Sequence, residues 1–357
     1  MGRIKVIVNP IAGRGLAGRL LPKLRQQLAA HTLDCDLVCT EEPGHGAVLA
    51  EQALSEGFET IVAVGGDGTL GEVATGLAGS DCILGALPTG TGNVWAHMLR
   101  LPHRTPTTRS TLMDAARVLV DGEVHRIDLG EAAGRYFVLW TGIGLDAQVA
   151  RGVEPHREIR RNLGGLAYFV TLVALSLVLR GTRMTVVIDG KAVRQRVILI
   201  LVANAQLYGP SVPIAPKAQL DDGLLDVCIF KGDRMLDVVR HIVMILSGQH
   251  LRDPKVETYR ARRVEIRGEK SLPIHMDGDP VGQTPVTITV APKALRVIVP
   301  RWASGSLFQE GAPSGEESLS LAQRIAQRLR YERERWREES ERLRSDWGRR
   351  LHFPPDD

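Results

Sequence analysis

The order of apolar and polar positions divides the chain into two textures. Short apolar or β-branched runs at Ile4–Val8, Leu33–Thr40, Thr60–Val64 and Cys82–Leu87 read as buried strands. Between and after them, helices are expected over about Leu16–Ala30, Gly46–Glu56 and Leu70–Leu77, and from about Val94 onward. Strands that alternate with helices at this interval predict an α/β domain with a Rossmann-like parallel sheet. Past Asp128 the pattern changes. Tyr136–Trp140, Met184–Ile188, Val197–Val202, Leu224–Phe230, Arg263–Ile266, Val286–Val290 and Leu295–Val299 are strand-length runs, and Asp189-Gly190 and Asp277-Gly278 sit between such runs as hairpin turns. Many strands joined by short turns predict an antiparallel β-sandwich, interrupted by helices around Leu163–Leu179 and Leu236–Leu246. The reading is a parallel-sheet domain over 1–129, a sandwich over 130–290, a linker rich in Ser, Gly and Pro over 303–316 and a C-terminal helix over 317–351.

The chain is organised around the turn Gly65-Gly66-Asp67-Gly68-Thr69, which separates a buried strand from a helix. Glycine lets the backbone reach φ > 0 and lets a ligand approach without meeting a Cβ. The free N–H groups at the helix start then face that ligand, which makes an anion site of the kind that holds phosphate. Asp67, set among the glycines, would repel a bare phosphate; it makes sense beside Mg²⁺, whose sites combine carboxylate, water and phosphate oxygens. The loops after Val8, Val64 and Leu87 are all rich in Gly, Asn, Thr or Asp. In an open α/β sheet such loops lie together at the carboxyl edge, so Asn9, Asp67, Thr91 and Asn93 are expected at one ligand-binding edge.

Composition narrows the partners. With 357 residues, 44% hydrophobic and 24% charged, the chain suits about two well-buried domains. A net charge of +4 suits an anionic partner, while 4% aromatics and no stacking platform argue against nucleic acid. Cys35, Cys39, Cys82 and Cys228 form no CxxC pair, so a reducing, cytoplasmic setting is expected. The helix over Leu163–Leu179 is apolar nearly all round, at the ~17-residue lower limit for a bilayer span, and reads as buried or membrane-facing. Arg151, Arg157, Arg160 and Arg161 precede it, a cluster that would press on an anionic membrane if it is not simply a solvated loop. In the C-terminal helix Ala322, Leu329, Trp336 and Leu343 recur at every seventh position, a thin stripe that leaves docking on its own protein, pairing in a homodimer and lying on a membrane all open.

Four segments carry a family resemblance: Asn9-Pro10-Ile11-Ala12-Gly13; Gly65 to Thr69 with Glu72; Pro88-Thr89-Gly90-Thr91-Gly92-Asn93; and His275-Met276-Asp277-Gly278-Asp279-Pro280. In this order and spacing they resemble the diacylglycerol kinase catalytic-domain family of lipid kinases, which includes sphingosine kinases and bacterial lipid kinases. The resemblance implies a nucleotide held between the α/β domain and a lipid-binding sandwich, with the last strand, within 291–302, returning to the first domain. It implies transfer of the γ-phosphoryl group of ATP to a lipid hydroxyl at a membrane surface, that of diacylglycerol first, with a sphingoid base or a non-catalytic binding module as alternatives. By matching motifs, Gly65, Gly66, Gly68, Thr69, Glu72, Thr89, Gly90, Thr91, Gly92 and Asn93 would surround the nucleotide, with Asn9, Pro10 and Gly13 shaping its pocket. Arg14 stands where relatives often have lysine and would contact phosphate. Asp67 would join the Mg²⁺ network and Asp277 would be the general base. Asp279, where relatives usually carry Glu, would reach the metal through water, and Asp128 matches an acid near the metal. Asp221, Asp222 and Leu224 resemble a loop that binds a second, structural Mg²⁺.

Overall fold

The protein is described here by a computed structural model covering residues 3–30, 35–103, 112–144, 181–209 and 212–309. Its first part runs β1 (Ile4–Val8), α1 (Ala12–Ala30), β2 (Cys35–Cys39), α2 (His45–Ser55), β3 (Thr60–Gly65), α3 (Asp67–Leu77), β4 (Ile83–Pro88), α4 (Val94–Leu99) and α5 (Leu112–Asp121). β2, β1, β3 and β4 pair in that order and all in parallel. Their uninterrupted apolar character follows from burial on both faces. Val6, Val8, Val62 and Val64 pack toward Ala17 of α1 and Ala115 of α5, while Ile7, Ile61 and Ala63 pack toward α2, α3 and α4. The winding reverses between the neighbours β1 and β3, so a crevice opens at their carboxyl ends. Asn9 and Gly66 are the residues that follow those two strands.

The second part contains β5 (Glu123–Ala132), β6 (Arg135–Phe137), β7 (Trp140–Gly144), β8 (Thr182–Ile188), β9 (Lys191–Ala203), β10 (Leu207–Tyr208), β11 (Val212–Pro213) and β12 (Leu225–Lys231). It continues with α6 (Met235–Leu246), β13 (Val256–Ala261), β14 (Arg263–Gly268), β15 (Pro273–Met276), β16 (Asp279–Gln283) and β17 (Val286–Val299). Apart from the β17–β4 pair, every pairing in this part is antiparallel. β9 and β12 are buried on both sides: Ile200, Val202, Val227 and Ile229 face the sandwich core, whereas Leu201, Ala203, Cys228 and Phe230 face the core that includes Trp95, Leu99 and Trp140.

The runs Val286–Val290 and Leu295–Val299, read as separate strands in the sequence, form one strand, β17, with a register shift between Ala291 and Leu295 where Lys293 takes φ 52°. Its first half pairs with β14 and its second half pairs in parallel with β4. One strand therefore belongs to both halves of the sheet. α5, β5, β13 and β15 lie outside the expected elements: β5 and β13 interleave polar residues with apolar ones, and β15 is only four residues long. Ala303, Leu307 and Phe308, within the stretch whose composition reads as linker, are buried in the first core. The expected helix over Leu163–Leu179, its preceding arginines and the C-terminal helix over 317–351 lie outside the described residues. Among the described residues no helix is long and apolar enough to cross a membrane.

Candidate active site

Three loops at the carboxyl edge of the parallel strands interlock. After β1, Gly13, Arg14 and Gly15 take left-handed conformations at φ 60°, 61° and 78°, which brings Gly13 against the loop after β4: a Cβ there would lie 1.9 Å from the Thr89 carbonyl oxygen. Asn9 crosses to the loop after β3, its Nδ2 donating to Thr69 Oγ1 at 3.1 Å. The Gly66 and Gly90 backbones lie so close that a Cβ on Gly90 would meet Gly66 Cα at 2.5 Å. Glycine at 13 is thus required by φ as well as by contact, and glycine at 90 by contact. The three loops expected to gather at one edge do so, with Pro10 packed under α1 at Gly18 and Thr91 exposed at the tip of its loop.

Asp67 sits at the centre. Its Oδ2 accepts the Val94 N–H at 2.9 Å and its Oδ1 the Trp95 N–H at 3.1 Å, so this carboxylate caps the start of α4. Burial raises its pKa above the usual carboxylate range, and the amides of Val94 and Trp95 oppose that rise. Asn93 takes φ 49° and donates from Nδ2 to the Gly90 carbonyl at 2.8 Å, while its Oδ1 and the Oγ1 of Thr89 are buried without a hydrogen-bond partner among the described residues. A small cavity under the loops is lined by Leu70, Ala86, Leu87 and Trp95 together with Asp67 and Asn93. Buried polar atoms left unpaired are costly unless a ligand or water meets them. These two, the N–H groups of the α3 start and the glycine-only backbone approaches together fit a phosphate-bearing ligand. Asp67 retains lone pairs beyond the two amides it accepts, and a Mg²⁺ ion that keeps waters and phosphate oxygens needs only one or two carboxylates.

The β15–β16 hairpin reaches this edge from the second part of the chain. Asp277 and Gly278 both take positive φ, at 49° and 97°, as a two-residue hairpin turn of the Asp-Gly kind requires. The turn aims the Asp277 carboxylate at the segment joining β6 to β7. Oδ2 accepts the Val138 N–H at 2.8 Å, and Oδ1 accepts those of Leu139 and Trp140 at 2.9 and 3.0 Å. On its other side lies α3: a Cβ on Gly71 would be 3.3 Å from Asp277 Oδ2, and one on Gly68 would be 3.6 Å from Asp279 Oδ2. Both acids of the hairpin therefore face the first turns of the helix that Asp67 begins. Burial pushes the Asp277 carboxyl up to about 6, the three amides oppose this, and the Asp67 charge adds to the rise. A carboxylate that titrates near neutrality and keeps a lone pair on Oδ2 is suited to accepting a proton.

Other expected residues have different surroundings. Glu72 lies on α3, but its two oxygens accept the Gly44 and Gly46 N–H groups at 2.8 and 3.0 Å, so it ties down the start of α2. Asp128 is fully buried in β5, with Oδ1 accepting the Lys293 N–H at 2.7 Å and Oδ2 the Gly223 N–H at 2.6 Å. The Asp221 carboxylate faces Lys293 Nζ at 3.6 Å and accepts the Gln309 N–H at 2.6 Å; that of Asp222 pairs with Arg260 and caps the Leu224 N–H at 3.0 Å. At the loop expected to bind a second Mg²⁺, the Asp221 and Asp222 carboxylates thus face the cations Lys293 and Arg260, while Asp128, expected near the first metal, accepts two backbone amides. Among the described residues no three His, Cys, Asp or Glu side chains converge as a cation cage. Sequence reasoning missed the amides of residues 138–140 and the role of Gly71. A glycine inside a helix, which costs about 1 kcal/mol against alanine, was the available signal for the latter.

Both parts of the chain match known proteins. Residues 3–132 match the diacylglycerol kinase catalytic domain, and residues 140–299 match the YegS C-terminal NAD kinase beta sandwich-like domain. Over these two stretches the chain is similar to the diacylglycerol kinase catalytic-domain family. It is 29% identical to the diacylglycerol kinase of Bacillus subtilis (strain 168) over 303 residues, covering 84% of this chain and 97% of that one. It is 25% identical to that of Staphylococcus carnosus (strain TM300), with 84% and 95% covered. A crystal structure of a diacylglycerol kinase from Bacillus anthracis str. Sterne shares the fold, with a TM-score of 0.67 at 23% identity over 84% of this chain and 97% of that one. The three loops fall in the first matched domain and the Asp277 hairpin in the second.

Proposed function

We propose that this protein is an ATP-dependent kinase that phosphorylates a membrane lipid hydroxyl, with diacylglycerol as acceptor and phosphatidic acid as product. The observation that carries this reading is the Asp277 carboxylate, raised toward neutral pH and lying against Gly71 on the same helix whose N-terminus, with Gly66 and Asp67, forms the phosphate cradle. A module that only binds nucleotide needs the cradle and has no use for a half-buried proton acceptor beside it.

In this account the α3 amides, the Thr89 hydroxyl and the Asn93 side chain hold the polyphosphate, and Arg14 adds charge at the mouth. Asp67, and Asp279 through water, would hold Mg²⁺, which neutralises charge on the transferring phosphoryl group. The amides of Val138, Leu139 and Trp140 fix the orientation of Asp277. Asp277 Oδ2 accepts the proton of the lipid hydroxyl as its oxygen bonds to the γ-phosphorus and ADP leaves. The acceptor resides in a bilayer, so the reading includes peripheral membrane contact.

The test is incubation of the purified chain with γ-labelled ATP, Mg²⁺ and a panel of diacylglycerol, sphingosine and monoacylglycerol in mixed micelles. Label is expected in phosphatidic acid. Label in sphingosine phosphate alone would move the acceptor, and label in no lipid despite bound ATP would favour a regulatory binding module.

A further inference from the structure

The α6 helix, between β12 and β13, has an outward face that its inward contacts do not explain. The helix is firmly seated: Val238 and His241 are buried, His241 Nε2 donates to the Lys231 carbonyl at 2.7 Å, and Asp237 Oδ2 accepts the Asp233 and Arg234 N–H groups at 3.1 and 3.2 Å. A helix seated by one face normally turns charged residues to water on the other. Here the other face carries Leu236, Val239, Val243 and Leu246, spaced three and four residues apart, with Met235 beside them. Leu236 is 73% exposed, Leu246 65% and Val243 57%. Leu251, just beyond the helix, is exposed as well.

Charge identifies what covers this face. The acids around the helix are each paired: Asp233 with Arg196, Asp237 with Lys255, and Asp253 with Arg240, whose Nε and Nη2 reach it at 2.7 and 2.9 Å. Arg240 is the charged residue bordering the stripe, and this pair neutralises it. Arg234 at one end of the stripe and Arg252 beyond the other are exposed and have no acidic partner among the described residues. An apolar stripe along one side of a helix, flanked by uncompensated arginines and cleared of free acid, matches an interface of hydrocarbon beneath anionic head groups.

We propose that the outward face of α6 docks this protein on an anionic bilayer, with Leu236, Val243 and Leu246 entering the acyl boundary and Arg234 and Arg252 resting on the head groups. This rests on the proposed function only in that a bilayer-borne substrate gives the docking a purpose; binding and phosphorylation are read separately below.

The test uses the full chain and vesicles of phosphatidylcholine with or without phosphatidylglycerol, scored by sedimentation. The wild type is expected to partition onto the anionic vesicles and weakly onto the neutral ones. The doubly substituted Leu236→Ser, Val243→Ser chain should lose at least about tenfold in partitioning. Arg234→Gln and Arg252→Gln should each cost about fivefold at low salt and little at high salt. Phosphorylation of a short-chain diacylglycerol in micelles should be unchanged in all three, which separates this proposal from the kinase reading: lost vesicle binding with kept activity is its signature. Undiminished partitioning of the serine variant would overturn it, as would equal partitioning onto both vesicle types. A wild-type dimer in light scattering that the serine substitutions convert to a monomer would also overturn it, by assigning the face to a second copy of the chain.

Discussion

Replacing Asp277 by asparagine removes a charge while keeping the shape of the hairpin tip. The carboxyl titrates at about 6 in the folded chain against 3.8 for an ordinary aspartate, because burial disfavours the ion more than three amides favour it. With the folded pKa above the unfolded one, the folded state holds the extra proton between the two values. This group's contribution to stability is therefore complete below about pH 4 and is lost as the pH rises through about 6. Two pKa units correspond to about 3 kcal/mol, an upper figure for a partly solvated group. Asparagine stays neutral throughout, and its amide NH₂ facing the Val138 N–H costs about 1–3 kcal/mol at every pH. The difference in Tm, variant minus wild type, should thus climb by on the order of 5 °C between about pH 4 and about pH 8. Over the same range turnover should fall by about 10²- to 10⁴-fold with nucleotide affinity nearly unchanged. Calorimetric melts at several pH values and labelled-phosphate transfer measure both. A Tm difference that stays flat with pH would refute the buried charge, and turnover within a few-fold of wild type would refute the base.

The geometry around that carboxylate makes further predictions. Gly71→Val places a branched side chain where a Cβ alone lies 3.3 Å from Asp277 Oδ2, and should lower kcat by about 10²-fold with KM for ATP little changed. Gly13→Ala combines a left-handed φ with a Cβ at 1.9 Å from the Thr89 oxygen, so it should cost more than about 1 kcal/mol in a denaturant melt and weaken nucleotide binding. Glu72→Gln strands one of the Gly44 and Gly46 amides and should cost about 1–3 kcal/mol of stability while KM for ATP stays within about twofold, measured by melt and steady-state kinetics. Chelating Mg²⁺ in the absence of nucleotide should move Tm by less than about 2 °C, since Lys293 and Arg260 balance Asp221 and Asp222; a larger drop would show a structural Mg²⁺ at that loop.

Much of the first part was legible because parallel strands buried on both faces read as plain apolar runs, and because loops that approach each other this closely can be built only from glycine. The Asp277-Gly278 turn was legible for the same local reason, as a hairpin. What those residues meet was not. The amides that grip Asp277 lie more than a hundred positions earlier, in a strand junction with no distinctive composition. Asp128 reads as an acid between strands and proves to be a fully buried tie between β5, the bulge of β17 and the Gly223 turn. β5 escaped notice because its polar residues mask its pairing, and Leu307 and Phe308 because Ser and Gly surround them. Local pattern reports which face is buried, whereas long-range hydrogen bonds depend on how the halves of the sheet come together.

The central claim is that a phosphate cradle begun by Gly66 and Asp67 and a proton acceptor at Asp277 act on one lipid hydroxyl. Its most direct measurement is a single-turnover transfer from γ-labelled ATP to diacylglycerol by the wild type and by Asp277→Asn, with ATP binding determined on the same samples. The account predicts equal ATP binding by both, label in phosphatidic acid with the wild type, and transfer slower by at least about 10²-fold with the variant. Equal transfer rates, or bound ATP with no lipid labelled by the wild type, would contradict it.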